Sequence, residues 1–231
     1  AGHDSDSNTG TFKFRLSPLA PFRLDLTVWT LRRRAENAVD RWDGTSYRRI
    51  LPMGGTAVEV AVAHIAPSAS PELQVSVRGA TDRSGIKAAI VSLLERMLGL
   101  KIDLGEFYRF AARDGRLAPL AERFRGMRPP RFPTVFEALV NGFACQQMSL
   151  TLGIMLLSRL SQSYGLAAGE EGQPDHAFPR PEDLAGLDLK ALRPLGFSYQ
   201  KSRSIIETAR AVCDGQLDLE SLADLPDDEA V

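Results

Sequence analysis

The sequence predicts an α+β protein in which an N-terminal antiparallel sheet with helices precedes an all-α domain that is incomplete at its C-terminus. Two periodicities predict this order: apolar residues alternate with polar ones before residue 78, and every clear period after residue 101 is helical. The length of 231 residues fits one large domain or two small ones. We expect residues 1–10 to form a disordered tail, 11–101 the α/β domain and 102–231 the helical domain.

The first half of the chain contains four strand-like regions. Alternation of apolar residues predicts strands over Phe12–Leu16, Val58–Val62 and Leu73–Val77. Residues Val39–Leu51 predict a hairpin, because Asp43-Gly44 supplies the positive φ angles that a tight turn requires.

The helices are predicted by apolar residues at helical spacing. One segment, Phe22–Leu31, fits two structures, since it alternates as in a strand while Asp25 is placed to cap a helix. Another helix begins after Thr134, which forms a capping-box signature with Glu137, so that each side chain would bond the other's backbone N–H. The remaining helices are expected over Ser84–Gly99, Leu104–Arg113, Leu117–Arg125, Leu150–Tyr164 (capped by Ser149) and Ser198–Cys213.

The formal net charge of −1 conceals an asymmetry along the chain. Residues 11–131 contain 21 Lys and Arg against 12 Asp and Glu, whereas residues 161–231 contain 6 against 14. A basic region of this kind can bind a polyanion, because Lys and Arg neutralise DNA phosphates. It is equally typical of the ordinary variation of charge over a solvated surface.

Several classes of protein are excluded. No window approaches the roughly 18 consecutive apolar residues of a membrane span, and the polar first ten residues contain no signal peptide. Cys145 and Cys213 are the only cysteines, too few for a disulfide framework or a four-cysteine zinc site. Phosphate-loop, zinc-protease and serine-hydrolase motifs are absent, and His64 is interpreted as a half-buried strand residue. We expect a soluble, cytoplasmic protein with no metal.

Two neighbouring amides stand out in the apolar run Phe143–Ser149. Gln146 and Gln147 lie between a buried helix face and the helix-capping Ser149. A glutamine side chain can hydrogen-bond base edges and can fill the gap that an extruded base leaves. The plain alternative is two exposed glutamines at a helix end.

Four segments in order resemble a known family. The run Pro133–Ser149 is similar to the opening helix of the helix-hairpin-helix DNA glycosylases, most of all the 3-methyladenine DNA glycosylase II branch. Leu195–Ile205 resembles that family's Gly-aromatic-x-x-x-Lys-x-x-x-Ile helix entry, and Leu217–Ala230 resembles the lead-in to its hairpin. The N-terminal part, with Pro21-Phe22, Tyr47 and Arg49, resembles the branch's additional α/β domain, which indicates a helix over Leu26–Arg34.

The resemblance implies roles for six residues. Gln147 would be the wedge that enters the duplex where the damaged base leaves, with Gln146 and Ser149 beside it near the DNA backbone. Lys201 corresponds to the family lysine, which packs helices or contacts the backbone. Trp29 and Thr30 are candidates for the base pocket, although Thr30 is not aromatic as the family contact is.

The family's hairpin and catalytic Asp have no counterpart here. Asp224, Asp227 and Asp228 do not match the motif, so no catalytic residue is assigned in this chain, and we expect a truncated and inactive form. The resemblance implies a monofunctional, monomeric DNA N-glycosylase of base excision repair that releases alkylated purines from double-stranded DNA without a cofactor. The alternative is a non-catalytic DNA-binding module on the same fold.

Overall fold

The computed structural model describes residues 10–80, 83–169, 172 and 174–221. Its largest sheet is antiparallel, and its five strands lie side by side in the order Phe12–Leu16, Leu73–Arg78, Thr56–His64, Ser46–Met53 and Arg41–Trp42. The predicted strands and the Asp43-Gly44 hairpin are confirmed; Gly44 has a φ of 101°, and Asp43 accepts hydrogen bonds from the N–H groups of Thr45 and Ser46. The strands are β1 (Phe12–Leu16), β2 (Arg41–Trp42), β3 (Ser46–Met53), β4 (Thr56–His64) and β5 (Leu73–Arg78).

Two helices cover one face of this sheet. The ambiguous segment is helical: in helix α1 (Leu24–Arg32), Leu24, Val28 and Leu31 are buried at helical spacing together with Thr27. Helix α2 (Arg83–Met97) packs beside it on the same core. The prediction that Asp25 caps α1 is wrong: Asp25 lies in the first turn and accepts hydrogen bonds from the Arg23 guanidinium.

The rest of the chain is mainly helical and surrounds a second core. The expected absence of strands after residue 101 is wrong in one place, because β6 (Ala167–Ala168) and β7 (Asp175–His176) form a small ladder. Arg41 of the main sheet forms an ion pair with Asp175 of this ladder. The helices are α3 (Gly105–Ala111), α4 (Leu117–Arg123), α5 (Val135–Cys145), α6 (Leu150–Tyr164), α7 (Pro181–Leu184) and α8 (Tyr199–Cys213), with a 3₁₀ turn over Arg193–Leu195.

A buried ionic cluster joins the sheet to α5. The Arg49 guanidinium on β3 donates to Asp40 at 2.7 Å and to both carboxylate oxygens of Glu137 at 2.5 and 2.7 Å. Tyr47 donates its hydroxyl hydrogen to Asp40 at 2.7 Å. All four residues are at least 96% buried, so the cluster lies shielded from solvent at the junction of the two cores.

The capping-box prediction is therefore half correct. Thr134 accepts a hydrogen bond from the Glu137 N–H and caps α5, as predicted. The Glu137 carboxylate does not return to Thr134, because the buried Arg49 guanidinium binds it. None of the helices in the described part of the chain combines the length and apolar character that crossing a bilayer requires.

Candidate nucleic-acid interface

The turn between α5 and α6 presents the two glutamines. Gln146 ends α5 in an extended conformation, and Gln147 adopts a left-handed one with a φ of 53°. Ser149 caps α6 by accepting a hydrogen bond from the Leu152 N–H, as the sequence predicts. Both glutamine side chains are exposed, so the turn presents two amides to the solvent.

Gly153 allows α6 to approach the end of α5 closely. A Cβ atom at this position would lie 2.6 Å from the Cys145 Sγ atom and 3.2 Å from the Cys145 Cα atom. Real Cβ atoms do not come so near to a neighbouring atom, so the Cys145 side chain or the helix backbone would have to shift. Sequence reasoning missed Gly153; its only signal was an isolated glycine inside an apolar helical period.

Lys201 donates hydrogen bonds to backbone carbonyls at the C-terminal end of α5. It lies in the first turn of α8, and its ammonium group donates to the Ala144 carbonyl at 3.0 Å and to the Gln146 carbonyl at 2.7 Å. The last carbonyls of a helix lack partners within the helix and carry partial negative charge, so a cation is favourable there. The structure thus brings Gln146, Gln147, Ser149 and Lys201 together at one turn.

A second strained residue connects α1 to the middle of α5. Arg33 follows α1 with a φ of 62° and donates to the Asn141 side-chain oxygen at 2.5 Å. Its guanidinium also lies over the Phe132 ring, 5.5 Å from the centroid. Asn141 in turn donates to the Glu137 carbonyl. Sequence reasoning did not single out this pair, since its members are 108 residues apart.

The two base-pocket candidates differ in what they offer. Trp29 is 61% exposed, and its ring lies parallel to that of Phe124 with centroids 6.3 Å apart. Thr30 is half-buried and donates its hydroxyl hydrogen to the Thr27 carbonyl within the helix. Trp29 therefore presents an aromatic surface one turn before Arg33, whereas the Thr30 hydroxyl is engaged in α1.

The candidate carboxylates at the end of the chain lie outside the described residues. This applies to Asp224, Asp227 and Asp228, and to the expected helix start at Leu225-Pro226. In the described ranges, no group of three or more His, Cys, Asp or Glu side chains is placed to hold a metal ion.

Two family models match this architecture. The AlkA N-terminal domain matches residues 13–133, and the HhH-GPD superfamily base excision DNA repair protein matches residues 140–229. The chain therefore belongs to the HhH-GPD helix-hairpin-helix superfamily, and within it to the 3-methyladenine DNA glycosylase II (AlkA) branch. The resemblance stated from the sequence is confirmed.

The curated proteins to which this chain is similar are named as DNA-3-methyladenine glycosylases. A putative DNA-3-methyladenine glycosylase YfjP from Bacillus subtilis is 26% identical over 218 residues, which is 94% of this chain and 72% of that protein. A DNA-3-methyladenine glycosylase from the same organism is 32% identical over 133 residues, which is 58% of this chain and 44% of the relative. DNA-3-methyladenine glycosylase 2 from Escherichia coli is 30% identical over 105 residues, 45% and 36% respectively. The chain thus spans less than half the length of the last two.

Solved structures confirm the predicted α+β fold. A 3-methyladenine DNA glycosylase from Archaeoglobus fulgidus superposes with a TM-score of 0.76 at 24% identity, covering 94% of this chain and 71% of that one. MBOgg1 in complex with a low-affinity DNA ligand gives 0.67 at 18% identity, covering 94% and 68%. At these identities the likeness establishes the fold.

Proposed function

We propose that this chain is the DNA-distorting part of a monofunctional DNA N-glycosylase that flips and hydrolytically releases alkylated purines such as 3-methyladenine. The observation that carries the proposal is the α5–α6 turn, where the exposed Gln147 is held in a left-handed conformation within a chain of this family. Strained backbone of this kind concentrates at functional sites.

Gln147 has the properties that a wedge needs. Extruding a base from a duplex costs a few kcal/mol, which contacts made in the distorted duplex must offset. An amide side chain fills the vacated space and offers both a donor and an acceptor to the unpaired base. Because its backbone is already fixed, little additional conformational entropy is lost when the DNA binds.

The surroundings of the turn suit the DNA backbone. Gln146 and Ser149 flank Gln147 and are exposed, and Lys201 stands beside them. The run Arg32–Arg34 at the end of α1 adds positive charge next to α5 through the Arg33–Asn141 contact. The partner is therefore double-stranded DNA containing a damaged base.

Cleavage of the glycosidic bond of an alkylated purine needs few protein groups around the base. An alkylated purine is cationic and already a good leaving group, so aromatic stacking and one carboxylate suffice to promote cleavage of its glycosidic bond. Trp29 provides an exposed aromatic ring for such stacking, since a cation over the face of Trp is attracted by its ring quadrupole. No metal or cofactor takes part in this scheme.

The catalytic carboxylate is not assigned to any residue of this chain. We expect the 231-residue chain to bind duplex DNA and to leave methylated bases in place, whereas the natural protein, with any sequence that its gene encodes after Val231, releases 3-methyladenine. Base release from methylated DNA tests both expectations. Release by the 231-residue chain contradicts the first, and no release by the natural protein favours a non-catalytic DNA-binding module.

DNA binding itself is tested by fluorescence anisotropy with a labelled duplex. Because phosphate contacts release counterions, the logarithm of the binding constant should fall linearly with the logarithm of the salt concentration, by about 0.9 for each phosphate neutralised. A titration that shows no binding at low salt would exclude the nucleic-acid function.

A further inference from the structure

We infer that Lys201 is a positioning residue for the proposed wedge, fixing the backbone of Gln147 from behind instead of binding a phosphate. The inference rests on the proposed function. Two of the three N–H donors of the Lys201 ammonium bond the carbonyls of Ala144 and Gln146 at 3.0 and 2.7 Å. Both acceptors lie within the three residues that precede Gln147.

The contact with Gln146 acts directly on the strained residue. The Gln146 carbonyl lies in the same peptide plane as the Gln147 N–H, and the φ angle of Gln147 is measured from that plane. A hydrogen bond that fixes this carbonyl therefore restricts the angle at which Gln147 leaves the helix. Without it, a non-glycine residue at a φ of 53° would relax towards the more populated regions with negative φ.

The contact with Ala144 supplies a missing partner. In a continuing helix the Ala144 carbonyl would accept from the N–H of residue 148, but the turn interrupts the helix before that point. Lys201 replaces that donor, and its charge offsets the partial negative charge at the end of α5.

Helix α8 holds Lys201 in place from the other side. Ser198 caps α8 and accepts a hydrogen bond from the Lys201 N–H at 3.2 Å, while the next residue, Ser202, is buried. The ammonium therefore extends from a fixed first turn of a 15-residue helix. Helix α8 therefore fixes the position of Lys201, and Lys201 fixes the backbone of the α5–α6 turn.

The test compares Lys201→Met with Lys13→Met, which removes the same charge from the exposed surface of the edge strand β1. Each variant is made in the wild-type chain and in a Gln147→Ala background. Three quantities are measured: the backbone conformation of Gln147 by NMR in the free protein, the preference for a duplex with one tetrahydrofuran abasic analogue over the same single strand, and the salt dependence of duplex binding. Melting temperatures check folding, and Lys201→Gln serves as a milder variant if Lys201→Met is unfolded.

A positioning role predicts a specific pattern. Lys201→Met should move the backbone chemical shifts of Gln147 away from those of a left-handed conformation. It should also lower the preference for the duplex over the single strand about tenfold, as expected when charge-assisted hydrogen bonds are lost. The salt slope should stay unchanged. In the Gln147→Ala background, Lys201→Met should have no further effect on the preference, because the side chain that it positions is gone. Lys13→Met should change neither the resonances nor the preference.

Two results would overturn the inference. A salt slope reduced by about one, with the Gln147 resonances unchanged, would make Lys201 a phosphate contact. An equal loss of preference with and without the Gln147 side chain would show that Lys201 does not act through it. The wild-type chain could show no duplex preference while Lys201→Met still changes the backbone conformation of Gln147. That result would support the positioning role of Lys201 and contradict the proposed wedge function.

Discussion

At the scale of single residues, the candidate site is marked by two unusual backbone conformations. Arg33 and Gln147 are the non-glycine residues with positive φ in the described ranges, and each costs free energy of order 1–3 kcal/mol. Arg33 ends α1 and contacts Asn141 of α5, and Gln147 follows the C-terminal end of α5. Glycine, which has no Cβ atom, adopts a positive φ more readily than Arg or Gln, so we expect the two side chains to serve a purpose at these positions.

Exchanging each glutamine of the turn for glycine separates backbone strain from function. Gln147→Gly removes the backbone strain of a left-handed residue. Gln146→Gly only increases the backbone freedom of an extended residue, whose φ is −61°. Both substitutions increase the entropy of the unfolded chain equally, so that contribution cancels in the comparison. We expect the Gln147→Gly chain to be more stable than the Gln146→Gly chain by about 1 kcal/mol in urea unfolding.

The same pair should respond in the opposite order to DNA. Gln147→Gly removes the proposed wedge and should weaken binding to an abasic-site duplex more than binding to single-stranded DNA, measured by anisotropy. Gln146→Gly keeps the Gln147 side chain and should lower the preference for the duplex less than Gln147→Gly does. Equal stabilities of the two variants, or an equal loss of duplex preference, would contradict this interpretation of the turn.

At the scale of helices and strands, the wedge turn depends on how closely α5 and α6 approach. Gly153 lies against Cys145, the last residue of α5, with no room for a methyl group. Gly142 lies one turn earlier on α5, where an added Cβ would have no neighbour within 4 Å. The two glycines therefore make a matched pair inside helices.

Alanine substitution should act on these glycines with opposite signs. Gly153→Ala places a methyl group against Cys145 and should lower the free energy of unfolding by about 1–3 kcal/mol. Gly142→Ala should raise it by about 0.5–1 kcal/mol, because alanine favours the helix. Urea unfolding measures both. Adding Cys145→Ala should recover part of the loss from Gly153→Ala, since the Sγ atom is the nearest neighbour of the added Cβ; absence of recovery would show that the backbone contact dominates.

The sequence predicts what is local and misses what depends on contacts between distant segments. Ser149 as a cap and the Asp43-Gly44 hairpin are correct because each depends on residues within three positions. The left-handed Gln147 is not predictable in this way, because its support from Lys201 spans 55 residues. Glu137 was assigned to the wrong partner for the same reason, since Arg49 lies 88 residues away.

At the scale of the whole molecule, α5 connects the sheet to the proposed DNA contact. Its first turn is anchored by the Arg49–Glu137 ion pair, and the turn that follows its last residue carries the two glutamines. The anchor contains one cation and two carboxylates, Asp40 and Glu137. Burial raises the pKa of Glu137, an effect that Arg49 opposes. Removing Arg49 should therefore leave two buried like charges at the junction of the two cores.

This arrangement predicts a destabilisation that depends on pH. Arg49→Met should cost about 3–5 kcal/mol near pH 7.5, the loss expected when one partner of a buried pair is removed. The pKa of Glu137 in the folded variant should rise further, because the opposing cation is gone. A raised carboxyl pKa stabilises the fold below the unfolded value of about 4.3, and this contribution disappears as the pH rises through the folded value. The loss should hence be smaller at pH 5 than at pH 8.

Urea unfolding at the two pH values, with Arg15→Met as control, measures the effect. Arg15 and Glu72 form an ion pair on the same sheet, but the Arg15 side chain is 67% exposed, so its removal should cost less than about 1 kcal/mol at either pH. Adding Glu137→Gln to Arg49→Met should flatten the pH dependence, because one of the two buried carboxylates is then neutral. A loss from Arg49→Met that is equal at pH 5 and pH 8 would show that Glu137 does not titrate at the junction and that packing alone explains the cost.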